Sequence, residues 1–291
     1  MNTTKSATLV ATATLMGSLF GMSATATAAT DSVATDIPLQ TEAAPAAAPD
    51  ADALAKKLAN PIAAMISMPF QNNFDWGGGP DGDGFQYKLN FQPVIPMTIN
   101  EDWNLITRII IPFVSQSDVV GNTSQSGLSD TTVSMWFSPS SPTASGWTWG
   151  VGPALLIPTG TNDFLTADQW AAGPTAIVLR QTDKFTYGAL VNQLWSFSGG
   201  KGYADVNQIF IQPFFVYLPG GGWTVALNTE TTYNFTSSEW TVPVNLMVNK
   251  MIKIGKLPAQ WQAGVRYYAE APDNAPDWGL RCSLTFLLPR S

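Results

Sequence analysis

The sequence predicts an all-β protein: a transmembrane antiparallel β-barrel of about twelve strands, preceded by a signal peptide and a short N-terminal helix. Three observations predict it. About twelve short segments alternate apolar and polar residues, which makes one face of each strand oily and the other wet. The 11 tryptophans fall at or near the ends of those segments. Nowhere after the first residues does the chain approach the ~20 consecutive apolar residues of a spanning helix.

The elements follow in order. Residues 1–28 read as a signal peptide, with Lys5 as its positive start, an apolar stretch from Ala7 to Met22, and small residues Ala26-Thr27-Ala28 at the cleavage site. Residues 29–50 are an Ala/Pro-rich leader without periodicity, expected to be disordered. Residues 51–65 hold a short helix and linker. Asp50 caps the helix, Leu54, Leu58 and Ile62 recur at four-residue spacing, and Pro61 ends or bends it. We expect this segment on the periplasmic side of the barrel rather than inside it as a plug.

Residues 66–291 form the barrel. Strands are predicted at Ile66–Asp75, Phe85–Met97, Trp103–Phe113, Leu128–Phe137, Trp147–Ile157, Trp170–Arg180, Phe185–Phe197, Ala204–Tyr217, Trp223–Tyr233, Trp240–Lys250, Gln260–Ala269 and Trp278–Leu288. Each has about the ~9–11 residues that a tilted strand needs to cross a bilayer, or slightly more. An even count puts both ends of the barrel on the periplasmic side, and the longer connections then fall outside, with Ser138–Gly146 the exception.

Tryptophan supports the boundaries. Trp103, Trp147, Trp149, Trp170, Trp223, Trp240, Trp261 and Trp278 stand near strand starts, and Trp76, Trp136 and Trp195 near strand ends. An indole with an apolar body and one N–H settles at the membrane interface, so these residues form the expected aromatic girdles. Against a regular barrel stand Pro93, Pro153, Pro174, Pro213 and Pro243, which lack a ladder donor and demand bulges or breaks.

Parity assigns the faces. Tyr87, Leu89 and Phe91 point to lipid and Lys88 inward; Leu105, Ile109 and Ile111 point out and Arg108 in. The sixth and eighth strands mix apolar and polar residues on both parities. The lumen-lining candidates are Lys88, Arg108, Asp130, Asn228, Glu230, Asn245, Arg266, Glu270 and Arg281. These charges either pair across the lumen and knit it shut or line a route for a small solute. Twelve strands enclose more space than the roughly eight that side chains just fill.

Composition narrows function. Charged residues are 12% of the chain, against roughly 25% in ordinary domains. Removing Lys5 with the signal leaves 13 basic and 21 acidic residues, moving the net charge from −7 to −8. That balance argues against nucleic acid. There is no histidine, which excludes Ser-His-Asp and Cys-His nucleophile systems and His-ligated zinc. Cys282, the single cysteine, forms no disulfide framework and has lipid-facing parity. Asp130, Glu230 and Glu270 offer carboxylates, but no spacing selects two of them as an acid/base pair. Gly77 to Gly84 lacks the lysine and context of a phosphate loop, and Asp81 and Asp83 are too few for calcium. No cofactor, metal or enzyme activity is expected.

Several runs carry a resemblance: LANPIAAMISMPFQNNFDWGGGPDGDG (Leu58–Gly84), YKLNFQPVIP (Tyr87–Pro96), NEDWNLITRIIIP (Asn100–Pro112), WGVGPALLIPTGT (Trp149–Thr161), YGALVNQLWSF (Tyr187–Phe197), WTVPVNLMVNK (Trp240–Lys250) and RYYAEAPDNAPDWGLR (Arg266–Arg281). Together they resemble a bacterial outer-membrane transporter family named for the meta-pathway of phenol degradation. The resemblance implies a barrel in the outer membrane of a Gram-negative bacterium, with lipids around it and small aromatic or hydrophobic molecules passing through. It supplies no catalytic residue. The alternatives are a structural or adhesive outer-membrane barrel without transport, and a soluble secreted β-sandwich.

Overall fold

The computed structural model describes residues 50–288; the expected signal peptide and nearly all of the leader lie outside the described residues. The alternating segments pair antiparallel, each with its neighbours in sequence, into a closed barrel of 12 strands. These are β1 (Ile66–Gly78), β2 (Gly84–Phe91 and Val94–Thr98), β3 (Trp103–Ser117), β4 (Ser124–Leu128 and Thr131–Pro139), β5 (Trp147–Ile157) and β6 (Gln169–Gln181). The second half comprises β7 (Phe185–Gly199), β8 (Asn207–Gly220), β9 (Trp223–Thr229 and Thr231–Asn234), β10 (Glu239–Thr241 and Pro243–Ile254), β11 (Leu257–Tyr268) and β12 (Trp278–Leu288). Closure comes from β1 against β12, from Ile66 opposite Leu288 to Trp76 opposite Trp278. Closure removes the exposed strand edges that an open sheet would leave.

The prolines explain the split strands. Pro93 sits in the break of β2, where Gln92 N donates instead to Pro69 O at 3.0 Å. Pro153 and Pro174 face each other across β5 and β6, and each interrupts the ladder on its other side. Pro213 and Pro243 flank β9 from either side. The β8–β9 register skips from Ile211 opposite Thr231 to Phe214 opposite Asn228, and Glu230 N donates to Pro243 O at 3.2 Å. With ladder donors missing on both flanks, β9 breaks at Glu230.

Faces follow the period of two. In β10 Asn245, Met247, Asn249 and Met251 are buried while Leu246 and Val248 are exposed; in β12 Arg281, Ser283, Thr285 and Leu287 are buried. The mixed parity of β6 and β8 has a cause. Ile177 and Leu179 of β6 and Phe214 and Val216 of β8 turn inward, where they cover apolar surface rather than water.

That surface belongs to the N-terminal segment. Helix α1 (Ala51–Leu58) starts at Asp50, whose side chain accepts from Asp52 N at 3.3 Å. Ala55 packs against Met251 and Leu287, Ala59 against Val216, Ala226 and Met247, and Ile62 against Ile106, Trp136, Ile177, Leu179 and Leu190. All these wall positions face the lumen, so residues 50–65 lie inside the barrel as a plug. This corrects the expected placement beside it. The helix gathers Leu54, Ala55 and Leu58 on one face, and that face together with Ile62 covers apolar side chains of the inner wall that water would otherwise meet.

Polar contacts anchor the plug at one mouth. Gly222 N, in the β8–β9 turn, donates to an Asp52 carboxylate oxygen, and Gln181 Nε2 donates to Lys56 O at 2.8 Å. Gly222 adopts φ +73°, and a Cβ there would meet Ala51 and Met251 at 3.1 Å, so the turn beneath the helix accepts no side chain. The Lys56–Asp183 ion pair, 3.6 Å and solvent-exposed, adds little.

Candidate functional site

Inside the barrel, strands β1, β9, β11 and β12 contribute a charged wall opposite the apolar one. Arg281, 2% exposed, donates from both terminal nitrogens to the two carboxylate oxygens of Glu230 at 2.8 Å each. Its Nε donates to Asn73 Oδ1 at 2.7 Å. A bidentate fork of this kind fixes both partners in direction as well as charge. The break at Glu230 frees that carboxylate from strand geometry and lets it reach across to Arg281.

Arg266 extends the network. Its Nε lies 3.5 Å from Asp75 Oδ1, an ion pair without a hydrogen bond, and a terminal nitrogen lies 4.0 Å from Glu230 Oε2. The same nitrogen donates to the Tyr268 hydroxyl at 3.0 Å. Lys88, opposite Asn73 in the β1–β2 register, shares this inward face, and Asn73 Nδ2 donates to Lys88 O at 3.2 Å. Amides complete the wall: Asn245 Nδ2 donates to Asn228 Oδ1 at 2.9 Å, and Asn249 Nδ2 to Thr224 Oγ1 at 2.7 Å.

The structure thus brings together seven of the nine lumen candidates: Lys88, Asn228, Glu230, Asn245, Arg266 and Arg281 on the charged wall, and Arg108 across from it. Two are elsewhere. Asp130 stands between the two parts of β4 and accepts from Gly160 N at 3.1 Å, Thr166 Oγ1 at 2.7 Å and Ala167 N at 2.7 Å. It organises the 158–168 loop instead of lining the lumen. Glu270 lies beyond Tyr268, where β11 has ended, and is exposed in the 269–277 loop. Parity was carried past the end of the strand.

Ten tryptophans lie toward the strand ends with outward or partly exposed rings. Trp76 stacks on Trp278 at 4.8 Å, with Trp170, Trp195 and Trp240 at the same end. Trp103, Trp147, Trp149, Trp223 and Trp261 lie toward the other. Trp261 is set further in, because β11 starts at Leu257. Trp136 departs from the girdle expectation. It is fully buried, faces the lumen beside Ile62, and its Nε1 donates to Thr175 Oγ1 at 3.1 Å. β4 continues to Pro139, which puts Trp136 within the strand, on the parity of Ser134 and Ser138 rather than of Phe137. Asp75 and Asn73 were missed, though their spacing against outward Phe74 and Trp76 held the signal.

Between the charged wall, the apolar wall and α1 lies a cavity of about 210 Å³. Arg108, Glu230 and Arg281 reach it with the amides of Gln92, Gln212 and Asn228, and Leu58, Leu190 and Phe214 also line it. Arg108 makes no hydrogen bond or ion pair among the described residues, and its guanidinium lies 5.6 Å above the Trp136 ring. Counting Lys88, Arg108, Arg266 and Arg281 against Asp75 and Glu230 gives the inner wall a formal surplus of two positive charges.

Residues 72–212 match the family described as "Putative MetA-pathway of phenol degradation". The fold is similar to that of an outer membrane channel from Pseudomonas putida F1, at 16% identity and TM-score 0.59, covering 77% of this chain and 95% of that one. It is also similar, at TM-score 0.47, 12% identity and coverage of 76% and 100%, to the NanC porin. Similarity to the outer membrane phospholipase A of Escherichia coli has TM-score 0.45, 11% identity and coverage of 83% and 99%. None of the curated proteins matches the chain. The likeness to the Pseudomonas channel shows the fold, that of an outer-membrane barrel.

Proposed function

We propose that this barrel, which resembles the phenol-degradation family over residues 72–212, is a channel of the Gram-negative outer membrane that passes small molecules and carries out no chemistry on them. The observation that carries the reading is the two-sided wall. Leu227, Leu246, Val248, Val265 and Leu280 turn outward and exposed, while Thr224, Asn245, Asn249, Arg266, Arg281 and Ser283 are buried on the same strands. Such strands suit lipid outside and water inside. In that membrane the longer loops 158–168 and 269–277 face the exterior and the plugged mouth faces the periplasm.

The plug and the cavity make the channel selective by size. A path narrowed to about 210 Å³ lies below the ~300–1,000 Å³ of sites for drug-sized ligands. Outer-membrane lipid and a small solute are its expected partners. Liposome swelling tests the reading. Proteoliposomes should swell in small sugars and organic acids and stay intact in a large oligosaccharide. Liposomes that swell no faster than protein-free ones in any solute would leave the barrel a structural or adhesive element.

A further inference from the structure

We propose that the cavity between α1 and the charged wall is a binding site for a small organic carboxylate with an apolar body, held by Arg108; the proposal rests on the channel reading and names the class of its solute. The residues divide the labour. Arg281 spends both terminal nitrogens on Glu230, and Arg266 is committed to Asp75, Glu230 and Tyr268. Their charge is largely neutralised in place. Arg108 is not. No carboxylate stands within ion-pair distance of it among the described residues, and its buried Nε has no hydrogen-bond partner.

Glu230 borders the same cavity and attracts Arg108 from beyond ion-pair distance, but no group of the wall meets the guanidinium fork itself. Arg108 does line the cavity, and the planar fork it presents matches a carboxylate. The Trp136 ring attracts the guanidinium without spending its donors. Gln92 and Gln212 border the same space and can donate to a carboxylate oxygen. Leu58, Leu190 and Phe214 border the same space, Leu190 directly beside Gln212 in the ladder, and offer apolar surface to the body of the ligand. The ligand that fits is an aromatic or branched aliphatic monocarboxylate of single-ring size.

Sodium benzoate is the probe, with benzamide and acetate as controls: the first lacks the charge, the second the ring. Binding is measured by titration calorimetry on the full-length protein in detergent, for wild type, Arg108→Gln and Arg108→Lys, each shown to be folded by heat-modifiable gel migration. Wild type should bind benzoate saturably, and benzamide and acetate each about tenfold or more weakly. Arg108→Gln should lose about tenfold or more in benzoate affinity, and Arg108→Lys should fall between, since it keeps the charge but not the fork. Equal benzoate affinity in wild type and Arg108→Gln, equal affinity for benzoate and benzamide, or no saturable benzoate binding would each overturn the proposal. Bilayer conductance of the same samples separates the two readings. A conducting wild type that ignores benzoate refutes only the carboxylate site, whereas a non-conducting one that binds it refutes only the channel.

Discussion

Replacing Ile62 with alanine tests what holds residues 50–65 inside the barrel. Ile62 is 5% exposed and meets Ile106, Trp136, Ile177, Leu179 and Leu190. Truncating such a buried side chain to alanine costs about 2–5 kcal/mol. The strands of the wall are held by their own ladders, so the loss falls mainly on docking of the segment, a local equilibrium separate from unfolding of the barrel. At the lower bound, about 2 kcal/mol shifts that equilibrium nearly thirtyfold toward the undocked state. Trypsin reports it, because cleavage after Lys56 or Lys57 requires α1 to leave the mouth and unwind, and slow cleavage tracks the open population. Heat-modifiable, folded Ile62→Ala should be cut about thirtyfold faster or more, and Ile62→Val, costing ~0.5–1.5 kcal/mol, only severalfold faster. Equal cleavage of wild type and Ile62→Ala would refute the docking described here.

Further outcomes follow from the same contacts. Arg281→Met leaves the partly exposed Glu230 without its fork and should cost about 1.5–3 kcal/mol in a urea-unfolding titration, with Glu230→Gln in the same chain recovering much of it. Leu246→Arg, on the outer face, should cost ~2–4 kcal/mol in the same titration in lipid vesicles, whereas Asn228→Arg, facing the lumen, should cost far less. Trp136→Phe should lose about 0.5–1.5 kcal/mol through its bond to Thr175, and no change would question its place in the interior. Asp130→Ala removes three acceptor contacts to the 158–168 loop and should speed amide exchange there without changing conductance.

Much of this architecture was legible in the sequence, and the reasons are local. The alternation in β10 and β12 states both strand and face, because a one-residue slip would put Arg281 against lipid. The ring of tryptophans marked strand ends on the outer surface. Prolines marked the breaks, and Pro213 with Pro243 even bracket Glu230, although only the paired register reveals that they act on the same residue. What alternation could not tell is what fills the interior. Ile177, Leu179, Phe214 and Val216 blurred the pattern of β6 and β8 because they answer to Ala59 and Ile62, more than a hundred residues away in the chain. Trp136 was assigned to the girdle for the same reason, since a lumen taken as wet has no place for an indole. Asp130 and Glu270 show the limit of parity, which holds within a strand and says nothing past its end. That Arg108 stands outside ion-pair distance of every carboxylate among the described residues is a property of the folded wall alone.

The central claim is that the barrel encloses a water-filled path narrowed by residues 50–65. Single-channel recording of the full-length protein in planar bilayers, beside the Ile62→Ala variant, tests it most directly. The account predicts discrete current steps for wild type, weakly favouring anions in keeping with the surplus of positive charge on the wall, and larger or longer-lived steps when Ile62 is truncated. Folded, inserted protein that passes no current in either form would contradict it.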